Sequence, residues 1–426
     1  MTTLDVKLPG YGRYKNTEIE WANQIPLHWE IKALKHIAKL RSGDTIRPEQ
    51  FSEDGYPVFG GNGFRGFTNS FNNSGRFPLI GRQGALCGNV NYSSGDFFAS
   101  EHAVVVYPKS GASVTWLGET IRTANFNRLS QSSAQPGIAV AVVENQIFPY
   151  PPLSEQKAIA AFIDQKSAQI DQAIQVKERQ IELLKERKQI LIQQAITRGL
   201  NPDVPMRNSG IEWIGEIPAH WSVKRAKYIF REVDERSQDG QQELLSVSHL
   251  TGVTPRSEKN VTMFMAEDYT GSKMCRKDDL VFNIMWAWMG ALGVADRTGI
   301  VSSSYGIFRQ LKPGTLNPQY LEMLLKTTTY IEHYNKVSTG LHSSRLRFYG
   351  HMFMAMEIGF PSREEQDSIV AHIDIESEKI NKATDLLEQQ IGKLKEYKAT
   401  LINSAVTGKI KVPGVVEPEM QDVEVV

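Results

Sequence analysis

Apolar residues recur with helical spacing in two long segments of the chain. In the first, Ile163, Ile170, Ile174, Ile181, Leu184, Leu191 and Ala195 follow one another at three-, four- and seven-residue steps, with charged residues between them. In the second, Ile373, Ile380, Leu387, Ile391, Leu394, Leu401 and Ala405 repeat that pattern. Each is the seam of a long amphipathic helix that needs a partner. Thirty-nine such residues at 1.5 Å rise would extend roughly 58 Å. The simplest way to cover both seams is to pack the helices on each other, antiparallel; separate packing on a neighbouring domain or another protein is the alternative. Ser154 and Ser362, after proline-bounded turns, are the expected amino-terminal caps, and Gly199 and Gly408 the expected stops.

The helical segments are one repeat of a pair. Ile159 to Thr197 returns 210 positions later as Ile369 to Thr407, with 18 of 39 residues identical. Asn16 to Ile37 returns 192 positions later as Asn208 to Ile229, with 11 of 22 identical, including Ile-Pro and His-Trp. The segments between these blocks, about Ala38 to Pro149 and Phe230 to Phe360, are not visibly alike. Both are rich in glycine, aromatic and β-branched residues with short apolar runs, which predicts mixed domains of short strands and long loops. The second insert is the longer by 18 residues, the difference between the two offsets. The fold class is therefore α+β: two mixed domains joined by two long helices forming an antiparallel coiled coil, with a pseudo-twofold internal repeat. The expected boundaries are 1–150, 151–200, 201–360, 361–411 and a disordered acidic tail at 412–426.

Composition narrows the function. The chain has 426 residues, too many for one core. Its two cysteines, Cys87 and Cys275, lack metal-ligand or disulfide spacing and suit a reducing compartment. No signal sequence or membrane-length apolar run is visible, so a cytoplasmic location is expected and no membrane partner. The 48 basic and 48 acidic residues cancel. They are unevenly distributed: Gly55 to Gly95, Thr120 to Val143 and His333 to Met356 contain no Asp or Glu. Such stretches give positive faces on a neutral molecule, unless they are chance clusters in loops.

Catalytic signatures are weak. Phe59-Gly-Gly-Asn-Gly63 and Asn317-Pro-Gln-Tyr320 imitate methyltransferase motifs, but they lie in different halves without the strand-loop-helix frame such motifs need. A tight turn and a proline turn before an apolar helix explain them. Catalytic and metal-ligating residues are assigned to none, and His28 and His220, matched beside tryptophans, read as structural.

The chemistry that remains is binding. Arg82 and Gln83 lie between glycines, and Arg and Gln are side chains that pair bidentately with base edges. Ser130 to Gly137 aligns with Gly340 to Arg347, setting Gln135 opposite Arg345. The candidate DNA-binding residues are Asn62, Arg65, Arg76, Arg82, Gln83, Arg128, Gln131 and Gln135 in the first half. In the second they are Lys336, His342, Ser343, Ser344, Arg345 and Arg347. Solvated loops are the alternative. Trp286 and Trp288 could stack on bases, but an apolar run of this kind is more often core.

The paired blocks N-(S/T)-x-I-E-W-x-x-x-I-P-x-H-W, each followed by an insert, a P-x-x-x-E-Q turn (Pro151 to Gln156; Pro361 to Gln366) and a long helix ending A-(I/V)-T, resemble the specificity subunit of a type I restriction-modification enzyme. The resemblance covers almost the whole chain. It implies two target-recognition domains that each read one half of a split, asymmetric double-stranded DNA sequence. It also implies helices that recruit two modification (methyltransferase) subunits and, through them, restriction subunits that translocate and cut DNA. No cofactor is then expected in this chain; S-adenosylmethionine, ATP and Mg would belong to the partner subunits. The recognition subunit of a fused restriction-methylation enzyme, or a coiled-coil scaffold for proteins, are the competing readings. Under the first reading, lengthening or shortening both helices by whole turns changes only the number of unspecified bases in the target. Methylome sequencing of such variants checks this; altered half-site letters would count against it.

Overall fold

The computed structural model describes residues 8–84, 86–130, 137–259, 268–340 and 346–418. They form two compact units, Met1–Glu178 with Leu387–Val426, and Arg179–Leu386. Each unit thus takes part of both long helices, Leu153–Arg198 and Arg363–Val406.

In the first unit a four-stranded antiparallel sheet has the order Val90–Tyr92, Pro78–Gly81, Ala103–Pro108, Ala38–Ser42. Helix Val114–Ala124 packs on it, capped by Ser113, whose side chain accepts from the Trp116 amide. Trp116, Leu117, Ile121 and Ala124 form its buried stripe. A five-stranded sheet (Phe51–Ser52, Gly63–Thr68, Tyr56–Gly60, Asp96–Ala99, Asn73–Ser74) stands beyond the core that carries the tryptophans.

The second unit repeats the first sheet strand for strand: Leu292–Val294, Leu280–Phe282, Gly306–Gln310, Phe230–Glu232, again antiparallel. Val104 pairs with Ile80, and Gly306 with Phe282, each 202 positions further on. Val106 pairs with Leu40, and Phe308 with Glu232, so the older offset of 192 still holds on the edge strand. The inserts that share no visible sequence therefore share a sheet. A sheet needs only backbone hydrogen bonds and apolar side chains on its buried face, and many sequences supply both. The units differ beyond it, where the second has two small ladders, Leu245–Ser248 with Gly252–Pro255 and Lys273–Cys275 with Gly299–Val301, instead of five strands. Most of the longer insert's surplus accumulates there, between the edge strand and its next equivalent strand.

The helical seams are covered as the periodicity requires. Ile163, Ile170, Ile174, Ile181 and Ala195 are buried, as are Ile373, Ile380, Ile391 and Ala405. Within the first unit Lys398 pairs with Asp171 at 2.7 Å and Lys177 donates to Gln390 at 2.6 Å, an antiparallel order. Within the second, Lys188 donates to Asn381 at 3.0 Å. That contact is the repeat image of the pair between Lys398 and Asp171, with an amide in place of the carboxylate.

The conserved wording of the two repeats has a direct physical reading. In the first unit the Glu155 carboxylate accepts from Trp29 Nε1 (2.9 Å), from the Tyr11 hydroxyl (3.1 Å) and from His28 Nε2 (2.5 Å). Burial and the Glu155 charge push the Tyr11 hydroxyl far above its ordinary pKa, which keeps it a donor. Gln156 donates to the Pro151 carbonyl (2.9 Å) and accepts from the Ser113 amide (3.2 Å), the cap of the sheet-covering helix. In the second unit Glu365 accepts from Trp221 Nε1 (3.1 Å) and His220 Nε2 (2.8 Å). Gln366 donates to Pro361 (3.0 Å) and accepts from the Asn317 amide (2.8 Å), again a helix cap. His28 and His220 are structural, as expected.

Two expectations are corrected. Ser154 lies inside its helix, which begins at Leu153, whereas Ser362 does cap, accepting from the Glu365 amide at 3.3 Å. The tail, expected to be disordered from 412, is docked through 418: Val412 is buried, the Lys411 amide donates to Pro9, and Glu417 accepts from the Gly12 amide at 3.1 Å. Buried Val412 and the Glu417 carboxylate, which also pairs with Lys411 at 2.9 Å, hold the segment, and its average polarity shows neither. Gly199 and Gly408 end the helices with φ of 75° and 74°.

Glu155 is 3% exposed, while the Glu365 side chain keeps 28% of its surface in water. Glu155→Ala therefore strands two buried donors and is expected to cost about 3 kcal/mol, and Glu365→Ala about 1 kcal/mol. Urea unfolding, with hydrogen exchange at the start of each long helix to resolve the two units, measures the difference.

Candidate nucleic-acid interface

In the first unit the hairpin of Tyr56–Gly60 and Gly63–Thr68 turns at Gly61-Asn62. The string that resembles a cofactor loop is this turn. Its glycines permit contact with the loop that follows strand Pro78–Gly81: a Cβ on Gly61 would stand 2.6 Å from the Gln83 carbonyl, and one on Gly81 would stand 1.9 Å from the Gly61 carbonyl. The approach gathers exposed polar groups. Asn89 Nδ2 donates to Asn62 Oδ1 at 3.3 Å, and Gln83 forms a bridge with Gly137. The backbone of Arg82 is held on both sides, its amide donating to the His102 carbonyl (2.8 Å) and its carbonyl accepting from the Ile138 amide (2.9 Å). Arg65 lies on the same hairpin, exposed, with its guanidinium 5.7 Å from the Phe51 ring.

The fold thus brings Asn62, Arg82 and Gln83 together and sets Arg65 on their hairpin. Asn89 and His102 join them without having been singled out in the sequence; Asn89 belongs to the acid-free stretch, which is the signal that could have found it. Arg76 and Arg128 are placed elsewhere. Arg76 lies over the Tyr92 ring and 3.9 Å from Asp164 of the long helix. Arg128 donates to the Ala124 carbonyl and pairs with Glu20 at 2.6 Å. Arg122, in the same acid-free stretch, is bound to Glu119 and to the Val90 carbonyl. Sequence neighbourhood cannot reveal such partners, because Glu20 and Asp164 come from distant segments. Gln131 and Gln135 lie outside the described residues.

In the second unit the equivalent loop is Asn283 to Gly290. The Phe348 amide donates to the Ile284 carbonyl at 3.0 Å, the image of the bond between Ile138 and Arg82. Ile284 and Met285 therefore occupy the positions of Arg82 and Gln83. Trp286, expected from its apolar surroundings to be core, is 45% exposed, and Met289 is 38% exposed. Trp288 is half-buried and its indole donates to the Met285 carbonyl at 3.0 Å. Beside this tongue, Thr339 and Arg347 exchange backbone hydrogen bonds of 3.1 and 2.8 Å, and Lys336 is exposed on helix Thr328–Val337. His342, Ser343, Ser344 and Arg345 lie outside the described residues.

Other groups serve the unit itself. Asn317 caps helix Pro318–Leu325 by accepting from the Gln319 and Tyr320 amides, so the second methyltransferase-like string is a helix start. Arg309 forms a bidentate pair with buried Asp279, both bonds 2.7 Å, and holds the Glu235 carboxyl below its ordinary pKa. Burial pushes the Cys275 thiol up to about 11. Among the described residues no helix is long and apolar enough to cross a membrane.

Residues 26–183 match the family described as type I restriction modification DNA specificity domain. The specificity subunit of type I restriction enzyme EcoprrI from Escherichia coli is 41% identical over 138 residues, 31% of this chain and 34% of that protein. The MjaVIII specificity subunit from Methanocaldococcus jannaschii is 24% identical over 295 residues, 65% of each chain. The matched region thus spans a third of the first relative and just under two thirds of the second. A solved chain from a structure of type I R-M complex assembly and conformational transition shares the fold, with a TM-score of 0.61 and 12% identity over 90% of this chain and 98% of that one.

The glycine contact at the hairpin tip is testable apart from any ligand. Gly81→Ala drives a methyl into the Gly61 carbonyl and is expected to destabilise the first unit by about 3 kcal/mol. Gly84 has φ of 94° with nothing within 4 Å of an added Cβ, so Gly84→Ala is expected to cost only about 1 kcal/mol of backbone strain. Denaturation of the two variants side by side gives the comparison.

Proposed function

Since the chain belongs to the family of type I restriction-modification specificity subunits, we propose that it reads a split DNA target, one part with each unit, for methyltransferase and restriction subunits assembled on its helices. One observation carries this reading. The two units hold the same loop by the same backbone bond, Ile138 to Arg82 and Phe348 to Ile284, yet present different side chains there. A duplicated mount with unlike reading surfaces suits a target whose two halves differ in sequence.

The division of labour follows from side-chain chemistry. Arg82 and Gln83 have the donor and acceptor geometry to pair with base edges, Arg with guanine and Gln with adenine. Arg65, Lys336 and Arg347 supply positive charge for phosphates, which fixes register and makes affinity fall with salt. The matched motifs around Glu155 and Glu365 set up like frames, and the outward sides of the long helices, where Leu183, Ile190, Ile375 and Leu386 are exposed, give surfaces to two copies of one methyltransferase subunit. S-adenosylmethionine, ATP and Mg act in those partners and not in this chain, whose own role is to select the sequence.

Comparing the host methylome with and without the gene reveals the target. Arg82→Ala and Gln83→Ala are then expected to relax letters in one half of it, weakening that half by about 5- to 150-fold, the range of one bidentate base contact. Arg76→Ala, whose guanidinium faces Asp164, is expected to leave both halves unchanged. Loss of letters in both halves from Arg82→Ala would count against separate readers.

A further inference from the structure

We infer that Trp286 is a specificity-determining wedge, pressed between stacked bases of the half-target that the second unit reads. The inference rests on the DNA-reading function proposed above. It arises because the tongue is rigid and yet its largest apolar side chain points into solvent.

The tongue is fastened along its length. Asn283 is buried, its amide donates to the Ala291 carbonyl (2.9 Å), its side chain accepts from the Met285 amide (3.2 Å), and its Nδ2 donates to the Tyr305 hydroxyl (3.1 Å). Phe348 fastens Ile284, and Asn335 Nδ2 donates to the Trp288 carbonyl at 3.0 Å. Gly290 closes the tongue with φ of 80°. A segment so constrained could direct its indoles into the core, and Ala287 does point there, at 0% exposure. Trp286 instead stands outward at 45% exposure, with the ring of half-buried Trp288 beside it, 5.8 Å away at 30°. Exposing an indole on a rigid mount forgoes burial that the fold would otherwise gain.

The surroundings point to DNA as the occupant. Lys336 adjoins Asn335, which pins the tongue, and Arg347 adjoins Phe348, which also pins it; the stretch from His333 to Met356 holds no acid. The corresponding loop of the first unit carries Arg82 and Gln83, the chemistry of base edges. An apolar plate with cations carried on the segments that pin it is an arrangement suited to unstacking a base step while phosphates are held nearby. Such a contact reads how easily a step opens, so pyrimidine–purine steps are favoured. The second half-target would accordingly be recognised in part by deformability, the first by hydrogen bonding.

The test uses the full chain assembled with its methyltransferase subunits, and duplexes carrying the methylome-derived target with 2-aminopurine at each adenine of, or flanking, the second half. Binding of the natural protein is expected to raise the fluorescence several-fold at one step. Trp286→Ala should abolish the rise and weaken binding about tenfold, Trp286→Phe should restore both, and subunit assembly and first-half letters should be unchanged. Tight binding with no rise at any position would overturn the wedge while leaving DNA reading intact. So would an alanine variant with unaltered affinity, or one that sheds its methyltransferase subunits, which would make the tongue a protein contact. Absence of any sequence-preferring binding by the natural complex would overturn both readings.

Discussion

One turn of helix at the start of each long helix organises everything around it. Its glutamate takes the indole and imidazole donors of the His-Trp block, and the next residue, a glutamine, takes the cap of the helix that lies on the sheet. Three segments distant in sequence are joined by two adjacent side chains. Because the carboxylates are buried or half-buried, losing a donor leaves charge without its partner, and the penalty is steep. That is why these residues recur in both halves at fixed offsets while most of the insert does not. The Trp29 end is the drier of the two, with Tyr11 added as a third donor.

The reading surfaces sit on bonds of a different kind. Strand pairing, and the bonds from Ile138 to Arg82 and from Phe348 to Ile284, run from backbone to backbone. Such bonds survive any side chain that does not clash. The frame is thus specified by particular side chains and resists change, whereas the loops are held by groups every residue has. Arginine and glutamine at one mount and an apolar tongue at the other are both compatible with one fold.

Charge illustrates the limit of reading faces from composition. Of the arginines in acid-free stretches, Arg76 and Arg128 are engaged by carboxylates from distant segments, Arg122 by Glu119 just outside its stretch, and Arg65 keeps an exposed guanidinium. A run without acids therefore overstates the free positive surface. What matters is which acid lies near in space.

By itself the sequence determined the long helices, their antiparallel pairing, the duplicated frame and the place where the halves diverge. Those properties depend on periodic burial and on repeated motifs, which are written in linear order. The shared four-stranded sheet under the inserts was hidden, because its buried positions accept many apolar residues and no letter-for-letter likeness is needed. The docked tail was hidden for a related reason: Val412 finds a pocket that average polarity does not describe. Only the tertiary structure decided that Arg82 and Ile284 are equivalent, that Arg128 belongs to Glu20, and that Trp286 faces outward. The first two are settled by partners far away along the chain, the third by bonds both within the tongue and from Asn335 and Phe348, and proximity in space is what the linear order leaves unsaid.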